Sequence, residues 1–170
     1  MKPHSSDISR NTMATDPAKV IAKLETLCVS AERCTYELRE RLYRWKIYGE
    51  EADKIIDSLT KRGFVNDERF VRAFVNDKSR FDRWGQRKIA VALSRKKISS
   101  KLYSSILQEI DSDLVMANIN YLLQLKSKSA GYDISTFEGR TKLYRYVVSR
   151  GFYPSDASVA LRDFLKSSDV

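Results

Sequence analysis

Apolar residues recur along this chain at i, i+3 and i+4, the spacing of one face of an α-helix, in runs closed by turn signals. Asp16-Pro17 offers an N-cap followed by proline at the first helical position. Val20, Ile21, Leu24, Leu27 and Cys28 then supply the inner face of a helix ending near Ser30. Thr35 is expected to cap a second helix, with Leu38, Leu42 and Tyr43 inward and Arg39, Arg41, Arg44 and Lys46 outward. Tyr48-Gly49 breaks it. A third helix carries Ala52, Ile55, Ile56 and Leu59 to a stop at Gly63, where a glycine suits the positive φ of a C-cap. Asn66-Asp67 starts the next, whose stripe is Phe70, Val71, Phe74 and Val75. After Phe81-Asp82-Arg83-Trp84-Gly85, a further helix turns Ile89 and Leu93 inward and places Arg87, Lys88, Val91 and Arg95 on the opposite face. The pattern as a whole predicts helices over 16–30, 35–46, 50–62, 67–81, 85–96, 100–110, 113–128, 136–150 and 155–166, with no sheet.

Three of these helices form a unit, and the unit repeats. An offset of 51 residues carries Leu38, Leu42, Ile47, Ile55, Ile56 and Leu59 onto Ile89, Leu93, Ile98, Ile106, Leu107 and Ile110. A further 54 carries them onto Leu143, Val147, Phe152, Ala160, Leu161 and Phe164. The fold class expected is therefore all-α: three tandem three-helix, helix-turn-helix-like repeats in an elongated, curved arrangement. The boundaries are 16–65, 66–111 and 112–170, after a disordered polar tail at 1–15. The longest polar link, Lys126-Ser127-Lys128-Ser129-Ala130-Gly131, lies inside the third repeat.

Charge changes the picture more than composition does. The net charge is +9, yet residues 1–77 hold 14 Lys and Arg against 13 Asp and Glu, and residues 102–170 hold eight of each. Residues 78–101 hold nine basic residues against Asp82 alone. Without acids nearby, i,i+4 pairs cannot balance this run, and a patch of one sign draws an anionic partner. Arg80, Arg83, Arg87, Lys88, Arg95, Lys96, Lys97 and Lys101 are the candidate binding residues, with Phe81 and Trp84 interleaved as possible stacking partners. Tyr144, Arg145, Tyr146 and Arg150 form a weaker candidate surface, and Trp45 beside Arg44 and Lys46 a weaker one still.

Catalysis finds no support. The chain holds neither a phosphate-binding G-x-x-x-x-G-K-[ST] loop nor a G-x-S-x-G elbow. Its one histidine, His4, stands in the polar tail, and Cys28 and Cys34 are too few for a zinc site. Asp67-Glu68 reads as a pair of first-turn acids rather than a catalytic dyad. No metal or cofactor is expected. With neither a secretory leader nor an apolar run of spanning length, a cytoplasmic protein is expected.

The run Arg62-Gly63-Phe64-Val65-Asn66-Asp67-Glu68-Arg69-Phe70, with Phe74-Val75, Arg80, Gly85 and Ile89 through Leu93, resembles the RecX family of bacterial RecA regulators. Tyr36-Glu37-Leu38 in the preceding helix resembles it too, and the likeness extends from about Val20 to Leu165. Lys97-Ile98 departs from the family's Gly-Ile, a pair that Gly151-Phe152 in the third repeat does approach. The resemblance implies a non-enzymatic modulator of homologous recombination, DNA repair and the SOS response. Such a protein binds RecA and its filament on single-stranded DNA, lies in the filament groove, and inhibits recombinase and ATPase activity. Weak, non-specific DNA binding, a monomeric state and no membrane partner complete the expectation. From another class comes a helix-turn-helix DNA-binding protein acting in transcription regulation, which would read base edges with amides and arginines.

Overall fold

The computed structural model describes residues 16–168. Among them stand nine α-helices and no strand. These are α1 (Pro17–Ser30), α2 (Thr35–Arg44), α3 (Gly49–Lys61), α4 (Asp67–Arg80), α5 (Gln86–Arg95), α6 (Ser100–Gln108), α7 (Ser112–Ser127), α8 (Phe137–Ser149) and α9 (Pro154–Ser168). Every helix expected from the pattern is present, and no end moves by more than two residues. The tail expected at 1–15 lies outside the described residues. By its contacts the chain forms two compact units that divide inside α4, between Phe70 and Val71.

The first unit packs α1, α2 and α3 around Leu24, Leu38, Leu42 and Leu59, each 1% exposed or less. Asp16 starts α1 as anticipated, its carboxylate accepting from the Ala18 N–H at 3.0 Å with Pro17 next in the chain. Two expectations are corrected here. Tyr43 is 68% exposed rather than inward, its ring lying 6.4 Å from that of Tyr48. Thr35 is the first residue of α2 and not its cap. Its N–H and hydroxyl both donate to Asp67 Oδ1, at 2.7 and 3.0 Å, so the acid that opens α4 also serves the orphan donors of α2. The side chain capping α4 is Asn66, which accepts from the Arg69 N–H at 3.0 Å. Cys28 and Cys34 form no disulfide, and Cys34 is buried.

The second unit sets α7 against α8 and α9, and α5 against α6. Ile119, Leu123, Leu143, Val147, Phe152 and Ala160 fill one core, each 1% exposed or less, while Ile89 and Leu93 are fully buried on α5. Among the described residues Asn118 is one of two buried polar residues, and its amide donates to the Ser79 carbonyl at 2.8 Å, tying α7 to the last turn of α4. All six register positions of the first repeat are buried. Of the other twelve, Leu107, Ile110, Leu161 and Phe164 stay half-buried. Ile110, Leu161 and Phe164 pack on the rim of the second core instead of inside it.

The three register-equivalent residues Lys46, Lys97 and Gly151 all adopt left-handed backbone, with φ of 61°, 58° and 95°. Each closes the end of its helix. The Ile47 N–H donates to the Leu42 carbonyl at 3.0 Å and the Ile98 N–H to the Leu93 carbonyl at 3.2 Å, the long bond of a Schellman turn. The missing glycine at Lys97 therefore leaves the turn intact.

Candidate nucleic-acid interface

The basic run folds into the end of α4, a five-residue loop, α5 and the start of α6. Arg80, Arg87, Arg95, Lys97 and Lys101 are exposed, and among the described residues none of the five is paired with an acid. Arg83, Lys88 and Lys96 are half-buried. Lys88 corrects the simple helical phase, which placed it outward with Arg87. Its ammonium lies 4.3 Å from the centre of the Trp84 ring, and its backbone is pressed against Gly151.

That packing comes from a joint between α5 and the end of α8. The free N–H groups at the start of α5 have no intrahelical acceptors. Gly85 donates to the Arg150 carbonyl and Arg87 to the Gly151 carbonyl, both at 2.9 Å. Such an approach needs two glycines. A Cβ on Gly85 would stand 2.2 Å from the carbonyl carbon of Gly151, and one on Gly151 would stand 2.3 Å from Lys88 Cβ. Arg150 completes the joint by donating from Nη2 to the Asp82 carbonyl at 2.8 Å. Partial burial in this joint is the main cause holding the Lys88 ammonium below its ordinary pKa; the Arg150 guanidinium adds to it and Asp82 opposes it.

Several cations of the basic run thus have structural duties. Lys78 pairs with Asp82 at 2.5 Å and lies 5.0 Å from the Trp84 ring centre, so Trp84 meets two ammonium groups. Arg83 takes left-handed backbone, φ 50°, and sets its guanidinium 4.0 Å from the Tyr121 ring centre. Tyr121 was not legible as part of this surface, being 38 positions from Arg83 with no motif to mark it. Of the weaker candidate surface, Arg150 belongs to the joint, whereas Tyr146 receives Lys126 at 5.3 Å on the side of Tyr132. What remains of the candidates is five exposed guanidinium and ammonium groups on α4, α5, α6 and the turn between α5 and α6, groups that offer no hydrogen-bond acceptor. Among the described residues no group of His, Cys, Asp or Glu could hold a metal, and no helix is long and apolar enough to cross a membrane.

The described residues are thus all-helical, with a run of unbalanced basic residues over α4–α6. A family model described as RecX, second three-helix domain, matches residues 66–105. The regulatory protein RecX of Clostridium beijerinckii is 32% identical over 123 residues, covering 68% of this chain and 54% of that protein. That of Mycobacteroides abscessus is 27% identical over 141 residues, covering 83% and 69%. The crystal structure of RecX from Lactobacillus salivarius superposes with a TM-score of 0.73 at 17% identity, over 86% of this chain and 97% of that one. A second crystal structure of a regulatory protein RecX gives a TM-score of 0.77 at 15% identity, over 86% and 71%. The chain belongs to the RecX family of regulatory proteins. It spans about half the length of the clostridial relatives, 54% and 53% for those of C. beijerinckii and C. tetani.

Proposed function

We propose that this chain is a non-enzymatic modulator of homologous recombination and DNA repair. It binds RecA and the RecA filament on single-stranded DNA in the cytoplasm and lowers recombinase and ATPase activity. Membership of the RecX family supports the partner. The observation that carries the contact is the exposure of Arg80, Arg87, Arg95, Lys97 and Lys101 along α4–α6 with no acid paired to any of them among the described residues. Cations without internal partners on helices fixed by a backbone joint fit a grooved anionic fibre, and they would bind DNA weakly and without sequence choice. Three modules, 16–65, 66–111 and 112–170, acting as a monomer, are the frame this function uses. A base-reading transcription regulator fits less well: Gln86, the one amide on α5, has its Oε1 buried.

The test is RecA ATP hydrolysis on single-stranded DNA, titrated with this protein and with an Arg87→Ala, Arg95→Ala, Lys101→Ala variant. All three residues are exposed, so the fold should change by no more than about 0.5 kcal/mol per site. Inhibition should fall sharply in the variant and persist when the exposed Lys54, Lys61 and Lys128 are changed instead. Equal inhibition by all three proteins would remove the α4–α6 surface from the contact. No inhibition by the wild type would remove RecA as the target.

A further inference from the structure

We propose that Phe81 is a base-stacking platform that gives the basic surface a preference for unpaired single-stranded DNA over duplex. This rests on the functional reading above but concerns contact with DNA alone.

Phe81 follows α4 directly and is 72% exposed, its N–H donating to the Asp77 carbonyl at 2.9 Å. One exposed phenylalanine is ordinary on a protein surface and means nothing by itself. Its setting is what distinguishes it. Phe81 lies in sequence inside the most strongly basic segment of the chain, residues 78–101 with nine basic residues against Asp82 alone, between the exposed Arg80 and Arg87. A partner protein's apolar side chain would have to enter among those charges. A nucleobase brings its own phosphate to meet them.

The backbone that presents the ring is held from several sides. The Trp84 N–H donates to the Lys78 carbonyl at 2.9 Å, Arg150 grips the Asp82 carbonyl at 2.8 Å, and the Gly85 N–H donates to the Arg150 carbonyl at 2.9 Å. Arg83 is anchored over Tyr121 at 4.0 Å. A platform already fixed loses little freedom when a ligand lands on it. The neighbouring rings are also spoken for. Trp84 meets Lys78 and Lys88, Phe74 meets Lys78 at 5.6 Å, and Tyr121 meets Arg83. Among the described residues Phe81 is the aromatic of this segment with no cation or ring against it. Every base has a π-face, so such stacking is blind to sequence. In a duplex those faces are covered by neighbouring base pairs, and exposing one costs a few kcal/mol.

Binding is measured without RecA, by fluorescence anisotropy, on oligo(dT), on a duplex of equal length and on an abasic oligonucleotide of equal charge. Phe81→Ala should weaken oligo(dT) binding about fivefold or more, from the usual worth of one base–aromatic stack. It should leave duplex and abasic binding, and the slope of affinity against salt, unchanged. Phe81→Trp should keep wild-type affinity, and its emission beyond that of Trp45 and Trp84 should be quenched by oligo(dT) and not by the abasic strand. Circular dichroism checks that each variant is folded. Salt-dependent binding that is unaltered in Phe81→Ala would overturn the stacking assignment while leaving the basic surface standing, and so would equal weakening on all three DNAs. Loss of RecA inhibition with undiminished oligo(dT) binding would make Phe81 a protein contact instead. A wild type that binds none of the three DNAs at low salt would overturn both the platform and the DNA-binding surface beneath it.

Discussion

Lys97-Ile98 and Gly151-Phe152 occupy equivalent places, after α5 and α8, and close the same kind of turn with different chemistry. Both first residues are left-handed, with φ of 58° and 95°. Lys97 donates its N–H to the Ser94 carbonyl at 2.9 Å, and Gly151 donates to the Val148 carbonyl at 3.0 Å. The difference lies outside the turn. Lys97 is exposed, whereas Gly151 has the start of α5 against it, so that a Cβ would meet the Lys88 N at 2.5 Å. A left-handed residue with a side chain costs about 1–2 kcal/mol, which a fold can absorb. A backbone atom at such a distance cannot be absorbed without movement. At this turn glycine is demanded by the neighbour, and φ alone is satisfied by lysine.

Both turns rest on equally firm floors, Leu93 being fully buried and Val147 1% exposed. Leu93→Ala should cost about 2–5 kcal/mol in denaturant unfolding, the largest effect expected here. Val147→Ala, which removes less side chain, should cost less. If Leu93→Ala cost under about 1 kcal/mol, α5 would not be packed as its burial states, and the two turns could not be compared at all.

Next in size is the joint itself. Gly85→Ala and Gly151→Ala should each cost about 1–3 kcal/mol through overpacking, and Gly151→Ala carries the left-handed strain as well. Lys97→Ala at the open turn should stay within about 0.5 kcal/mol. A loss at Gly151→Ala no larger than the left-handed penalty of about 1–2 kcal/mol would mean that φ, not the close approach, sets the need for glycine. For the same reason the remaining strain at the open turn can be relieved. Lys97→Gly should raise stability by about 0.5–1 kcal/mol, the left-handed penalty of about 1–2 outweighing the extra freedom glycine brings to the unfolded chain. A loss of stability would show that the Lys97 side chain makes a contact worth more than its strain.

Helix positions were legible because they are local: Asp16-Pro17, Gly63 and Asn66 announce starts and stops, and the apolar stripes fix which face turns in. The register across repeats was legible for the same reason, since buried residues at 51- and 54-residue offsets need only helical phase. The basic segment was legible as composition. What could not be read was who touches whom over distance. Asp67 serving Thr35, Arg83 finding Tyr121 and α5 meeting the carbonyls of Arg150 and Gly151 all join residues at least 32 positions apart. Helical phase put Lys88 in solvent because phase knows one helix at a time. The joint that half-buries it is made by the end of another.

That half-burial yields the smallest effect and the most direct probe of the joint. The groups that face the Lys88 ammonium are the Trp84 ring, the Arg150 guanidinium and Asp82. Burial first and Arg150 second hold its pKa below the ordinary 10.5, with Asp82 working the other way. A lysine depressed in the folded state binds fewer protons there than in the unfolded chain, across the interval from its folded value up to 10.5. The unfolded state therefore loses more protons as pH climbs through that interval, and this group's contribution to stability rises with pH. Below the interval both states are protonated and the full cost of holding the charge in the joint is felt. Above it both are neutral and the cost is gone. Lys88→Met keeps the apolar stem over Trp84 and removes the charge, so the stability of wild type minus variant should increase from neutral pH to about pH 11. Melting temperatures of the two proteins, taken side by side across that range, measure the difference while titrations common to both cancel. A flat difference would mean that the Lys88 ammonium is as well hydrated in the joint as in the unfolded chain. The seam between α5 and the Gly151 turn would then be wet, and the contrast with the open turn at Lys97 would rest on sterics alone.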